Sequence, residues 1–199
     1  MSIPVSWPTG WSDAELKPFG NVTPKPAVTG ANQRWSMDFV SVALADGRHI
    51  RSFTVVDDPT RECLVIEVER SLPAERVNAA LDRVARMRGH PRSVCTTDQC
   101  SGARRWISGR TNTTSPWFIE PDRPVQDAFT ESFSSHFRDE RLNEHWFLDL
   151  AHAQATIETW RRDYNAVRPH GQLGGRTPDE YVVYLQERLE AVHSRSTND

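Results

Sequence analysis

The chain has 199 residues, 37% hydrophobic and 26% charged, enough for one full-sized core with tails. Its formal net charge of −3 argues against a simple nucleic-acid coat. An enzyme acting on nucleic acid stays open, because a metal-binding acidic centre subtracts from the total while arginines elsewhere grip phosphate. No apolar run approaches the roughly 18 residues of a membrane span, and MSIPVSWPTGW at the start lacks a basic region followed by an apolar block. A cytoplasmic location is the expectation. Cys63, Cys95 and Cys100 are odd in number and form no CxxC pair, which points away from a disulfide framework and from zinc. Among the 24 basic residues only Lys17 and Lys25 are lysines. Arginine is the better bidentate phosphate ligand, although GC-rich coding accounts for the bias equally well.

Residues 1–31 carry five prolines and two tryptophans without a sustained period and read as an irregular tail. RWSMDFVSVAL and RHIRSFTVVDD then form two strands about a turn at Asp46 and Gly47, residue types that tolerate positive φ. CLVIEVE (63–69) is a third strand, so an antiparallel meander is expected. SLPAERVNAALDRVARMRG is a helix, with Ser71 as possible cap, Pro73 and Glu75 in the first turn, and Gly89 as the stop. PRSVCTT (91–97) is a short buried strand ending at Asp98; strand, helix and strand in this order make a right-handed crossover with parallel strands.

The stretch Thr96–Pro121 that follows has neither helical nor strand period. After it, VQDAFTESFSSHFRDERLNEHWF is helical, with Phe129, Phe133 and Phe137 recurring every four residues. LDLAHAQATIETWRRDYNAVRP is a second helix, ended by Pro169. TPDEYVVYLQERL begins with Thr177 as cap, Pro178 at the first helical position and Glu180 closing a capping box. A mixed sheet with helices packed on it results. The core is expected over residues 32–185, with a tail at 186–199.

Three carboxylates stand where carboxylates need a reason. Asp38 interrupts the apolar strand Trp35–Val42, Asp98 ends a central strand, where ligands of α/β sheets bind, and Glu131 projects off the aromatic helix face. An isolated charge in a sheet interior is costly unless paired or bound to metal. Three acids of this kind suit hard divalent cations. Two such ions about 3.5–4 Å apart can activate a water or sugar hydroxyl on one side of a phosphorus and stabilise the leaving oxygen on the other. Taken alone the pattern also fits a bland account: a paired strand acid, a turn residue and a solvated helix residue.

NQRWSMDFV, VVDDPTRECLVIEV, VQDAFTESFSSHFRDERLNEHWF and YNAVRPHGQLGGRTPDEY, in this order and spacing, closely resemble the catalytic domain of bacterial insertion-sequence transposases with a retroviral-integrase core. The resemblance runs from about Asn32 to Tyr181. It implies an α/β fold of the ribonuclease-H-like type, a mixed five-stranded sheet flanked by helices, and an Asp, Asp, Glu triad holding two Mg²⁺ ions, with Mn²⁺ able to substitute. It also implies breakage of DNA at transposon ends and joining of the 3′ hydroxyl to target DNA, without a covalent protein intermediate. The family's W-x-x-D aspartate falls on Asp38 and the glutamate of its QNA-x-x-ESFNG helix on Glu131. Asp98 in TTDQCSG is the counterpart of the second aspartate, which opens D-N-G-P-E-F. These three are the implied catalytic and metal-binding residues, and Arg138, Arg168 and His170 the implied DNA contacts. For Arg168 and His170, capping a helix and packing on Tyr164 is an equal alternative. The implied partners are transposon-end and target DNA and further copies of the chain in a homo-oligomer.

The departures cluster. Gln99 and Cys100 replace Asn and Gly, P-E-F is absent, and the separation 131 − 98 = 33 is about three residues short of the family spacing. Read one base out of register, with permitted third bases, Arg104–Trp117 becomes TLDQWAYQHHLAL, an amphipathic string resembling the family's helix after the second aspartate. Residues 99–116 are therefore read as the old helix in the wrong frame, with the frame restored near Trp117. SGRTNTTS (108–115) is a loop composition. Asp127 replaces an Asn and lies four residues from Glu131, a repulsive pair in the absence of metal. Ser134 and Ser135 replace Asn and Gly, His136 replaces a common basic residue, and Pro59 an aromatic. Residues 1–31 hold no counterpart of the family's helix-turn-helix. Activity is expected to be impaired, with a catalytically inactive remnant that binds nucleic acid or oligomerises as the alternative. A hydrolytic nuclease of the same fold is disfavoured by YNAVRPH.

Overall fold

The computed structural model describes residues 30–96, 115–118, 128–142 and 146–196. Strands β1 (Arg34–Ala43), β2 (His49–Asp57) and β3 (Cys63–Glu69) form the expected meander. Pairing of β1 with β2 runs from Trp35 opposite Asp57 to Ala43 opposite His49. Gly47, at φ +79°, makes the reversal that a Cβ would strain, and the Leu44 N–H closes it on the Arg48 carbonyl at 2.7 Å.

Helix α1 (Ala74–Arg88) buries Val77, Ala80, Leu81, Val84 and Ala85. Its N-cap is Pro73, with no side-chain cap bond, so Ser71 does not cap it. Proline at the cap donates nothing, and its fixed φ already leads into the first turn. Gly89, at φ +84°, ends the helix with its N–H on the Ala85 carbonyl. Strand β4 (Ser93–Thr96) returns parallel to β1, with Met37 opposite Thr96. A further short strand, β5 (Ser115–Phe118), pairs parallel with β4, which makes the strand order β3-β2-β1-β4-β5. Ser115 thus begins a strand rather than ending a loop.

The expected long helix after Val125 is described as α2 (Ala128–Phe137), followed by a π-helical turn at Arg138–Leu142. Phe147 no longer belongs to it and instead forms a bridge to Leu44 at the end of β1. In α3 (Leu150–Val167) the Asp149 carboxylate caps the N-terminus by accepting the His152 N–H at 2.8 Å. The last helix, α4 (Pro178–Ser196), carries the capping box the sequence announces: the Glu180 N–H donates to Thr177 Oγ1, and the Thr177 N–H to Glu180 Oε2 at 2.9 Å. It continues to Ser196, so residues 186–196, taken from sequence as a tail, are helical.

Alternation along β1 divides the interior into two layers. Trp35 and Met37 join Phe53, Val55 and the apolar stripe of α1 on one face. Val40, Val42 and Leu44 join Ile50, Val56, Phe133, Phe137, Ile157 and Trp160 on the other, beneath α2 and α3. The second face also receives Arg34, Ser36 and Asp38, by the same alternation.

Candidate functional site

Asp38 stands at the middle of β1, itself the middle strand of the sheet, and is half-buried. Its Oδ1 accepts the Phe39 N–H at 2.9 Å, and its Oδ2 accepts the hydroxyl of Ser134 from α2 at 2.6 Å. The Thr54 hydroxyl donates to its carbonyl at 3.3 Å. Ser134 is buried and Asp38 half-buried, so the bond is partly shielded from water, which strengthens it. Glu131 lies in the same helix, three residues before Ser134; its side chain is outside the described residues, as is Asp98. The described part of β4 ends with Thr96 beside Met37.

The structure therefore brings Asp38 to the helix that bears Glu131. Among the described residues no group of three His, Cys, Asp or Glu is placed to hold a metal. Asp38 fits a hard divalent ion by its chemistry, a carboxylate held by hydrogen bonds on a rigid strand.

Reading the sequence missed a second polar cluster, where β2 ends beside the start of β1. Asp58 is 5% exposed and accepts Arg34 Nε at 2.6 Å and Ser36 Oγ at 2.5 Å. Its neighbour Asp57 is fully buried and accepts the Asn32 N–H on both oxygens and the Thr60 hydroxyl at 2.7 Å. Burial pushes the Asp57 carboxyl up to about 7 against the pull of those donors. The available signal was VVDD itself: two adjacent acids at the end of an apolar strand need partners if both are covered.

Arg138 opens the π-helical turn and is exposed. Arg168 follows α3, donates to Glu140 Oε1 at 2.5 Å and lies 5.6 Å over the Trp160 ring. His170 packs edge-on against Tyr164 at 5.3 Å, and burial, with Arg61 and Arg168 nearby, holds its imidazole below the ordinary value. His170 thus packs on Tyr164, whereas Arg168, at the C-cap of α3, packs on Trp160 instead. Asn165 was not singled out, yet its amide fastens α3 to β3, accepting the Cys63 N–H at 2.8 Å and donating to the Cys63 carbonyl at 3.0 Å. Arg61, at φ +61°, bonds the Gln172 side chain and ties the β2–β3 turn to the loop before α4.

Two family models described as Integrase core domain match residues 28–108 and 112–178. The chain belongs to the integrase core domain family. A 31.7 kDa protein of insertion element IS407 from Burkholderia multivorans is 44% identical over 168 residues, 83% of this chain and 61% of that protein. A 39.2 kDa protein of insertion element IS476 from Xanthomonas euvesicatoria is 41% identical over 184 residues, 87% of this chain and 53% of that protein. The chain therefore spans between half and two thirds of these relatives. Together they show the expected kinship with bacterial insertion-sequence transposases that carry an integrase core.

Among solved structures, the HTLV-2 integrase catalytic core domain in complex with magnesium, in its trimeric form, superposes with a TM-score of 0.55 at 11% identity, over 75% of this chain and 95% of that one. A chain of the simian T-cell lymphotropic virus intasome in complex with PP2A regulatory subunit B56 gamma gives 0.57 at 10% identity, over 72% of this chain and 52% of that one. These likenesses show the ribonuclease-H-like α/β fold, a mixed sheet flanked by helices. No helix among the described residues is long and apolar enough to cross a membrane.

Proposed function

We propose that the chain is the catalytic domain of a transposase that cuts DNA at the ends of a mobile element and joins the freed 3′ hydroxyl to target DNA. Asp38, Asp98 and Glu131 would hold two Mg²⁺ ions, for which Mn²⁺ can substitute. The observation that carries the reading is the hydrogen bond from Ser134 to Asp38, which sets the helix bearing Glu131 against the central strand. Ions held there supply charge stabilisation at the attacking and leaving oxygens of an in-line displacement.

In the cutting step a water oxygen forms the new P–O bond and the 3′ oxygen leaves with a proton. In the joining step that 3′ hydroxyl attacks a target phosphodiester, one P–O bond forming as another breaks. No side chain needs to become covalently attached. Asp38 keeps its carboxylate fixed through Phe39 and Ser134 while phosphate passes over it. Arg138 is exposed to meet the DNA backbone, and Arg168 and His170 would contact it at the edge of their packed positions.

Activity is impaired, on this reading, by the altered segment at 99–116. The short spacing to Glu131 and the loop composition of SGRTNTTS support that view. A displacement of a catalytic carboxylate by 1 Å can cost about a hundredfold in rate. The second reading, an inactive remnant that binds nucleic acid or oligomerises, rests on the same segment.

The test is cleavage and joining of labelled element-end DNA by the folded chain with Mg²⁺ or Mn²⁺. Metal-dependent cleavage that Asp38→Asn abolishes supports the transposase. A folded chain that cuts nothing, beside a repaired chain that does, supports the remnant. Because Ser115 already pairs in β5, the repair should replace 99–114 with the family helix.

A further inference from the structure

A serine inside a helix ordinarily turns its hydroxyl back to the carbonyl four residues earlier or out to water. Ser134 does neither: it is 3% exposed, and its Oγ reaches Asp38 Oδ2 across the gap between α2 and β1, 96 residues away in sequence. The other carboxylate oxygen is taken by the Phe39 N–H. With the Phe39 N–H on one oxygen and the Ser134 hydroxyl on the other, the carboxylate cannot rotate about its Cβ–Cγ bond without losing both bonds.

The bond also bears on the helix. Phe133 and Phe137, on either side of Ser134, pack on Trp160 at ring distances of 5.8 and 5.0 Å. Apolar contacts of this kind hold a helix down but tolerate sliding, whereas a 2.6 Å hydrogen bond fixes its position along the strand. Glu131 sits three residues before Ser134, about 4.5 Å along the axis. Whatever fixes Ser134 on Asp38 fixes the backbone of Glu131 relative to Asp38.

We infer that Ser134 is a positioning residue for the divalent-metal site: its hydroxyl orients the Asp38 carboxylate and sets the spacing between Asp38 and the helix carrying Glu131. The inference rests on the proposed metal site and names the residue that tunes it. Hydrogen-bond partners of metal ligands typically contribute about 10–100-fold in metal affinity.

The experiment is Mn²⁺ calorimetry on the full chain, comparing wild type, Ser134→Ala and the exposed neighbour Ser135→Ala, alongside metal-free melting of each. The expected result is Mn²⁺ binding by the wild type, weakened about 10–100-fold in Ser134→Ala and within twofold of wild type in Ser135→Ala. Should Ser134→Ala fail to melt cooperatively, Ser134→Cys keeps the volume with a weak donor and should bind about 10-fold more weakly. A purely structural role lowers the metal-free melting temperature alone. Wild-type affinity in a folded Ser134→Ala or Ser134→Cys would therefore overturn the inference while leaving the metal site standing. A folded wild type that binds no Mn²⁺ would overturn both.

Discussion

The two faces of β1 obey different rules. Toward α1 the strand presents Trp35 and Met37 to a layer of apolar side chains, and the one polar atom of the two, the Trp35 indole N–H, donates to Asn32 Oδ1 at 3.1 Å. Toward α2 and α3 it presents Arg34, Ser36 and Asp38 before turning apolar at Val40, and each of the three is held by a hydrogen bond from or to another element. The first face does what a sheet needs for stability. The second accepts the desolvation of charge, offset by Asp58 and Ser134, at the position proposed here for a metal-binding aspartate. A function-bearing face can thus be recognised by polar groups that are satisfied from outside their own strand.

Substitutions can break this contrast in graded steps. Asp38→Asn should abolish metal-dependent DNA cleavage while leaving the melting temperature within a few degrees of wild type, since Asn keeps an acceptor for Ser134; a cleavage assay and a melting curve read the two sides separately. Phe53→Ala, on the α1 face, should do the reverse, costing about 3–5 kcal/mol in denaturant unfolding with Mn²⁺ affinity unchanged in the folded chain. Arg34→Met removes the guanidinium that bonds the buried Asp58 carboxylate and should cost about 3 kcal/mol, of which the double change with Asp58→Asn recovers a large part. If the double variant is no better than the single one, the ion pair is not what holds that end of β1.

A pH series sharpens the same point. The folded Asp57 carboxyl titrates at about 7 against 3.8 for the ordinary group, so between those values the folded chain binds a proton that the unfolded chain has released. The Asp57 contribution to stability is therefore fully present below about pH 4 and lost as pH rises toward 7. Asp57→Asn has no such proton to lose, so its melting temperature should gain on wild type steadily across that range. A flat difference would mean Asp57 stays ionised among its donors. The smallest effect belongs to a site remote from both faces, Thr177→Ala, which removes one side of the α4 capping box at about 1 kcal/mol.

What was legible in the sequence was local. The meander, α1 with its glycine stop and the Thr177–Glu180 box are each specified by residues within a few positions of one another, and they are found where the sequence puts them. Strand β5 was not legible, because Ser-Pro-Trp-Phe has no alternation and becomes a strand through pairing with β4. The π-helical turn at Arg138–Leu142 interrupts a pattern that reads as one continuous helix. Asp38 stands out in the sequence as an acid in an apolar strand, whereas Ser134 reads only as a departure from the family, since a hydroxyl in mid-helix does not announce a partner 96 residues away. The same distance problem hid Arg34 with Asp58 and Asn165 with Cys63.

On the proposed reading, an acidic metal centre built on Asp38 and Glu131 persists beside residues 99–116. Its most direct test is calorimetric titration of the folded chain with Mn²⁺, in wild type, Asp38→Asn and Glu131→Gln. Binding in the wild type that each substitution removes is the predicted result. A folded wild type that takes up no Mn²⁺, or binding that survives both substitutions, would contradict it.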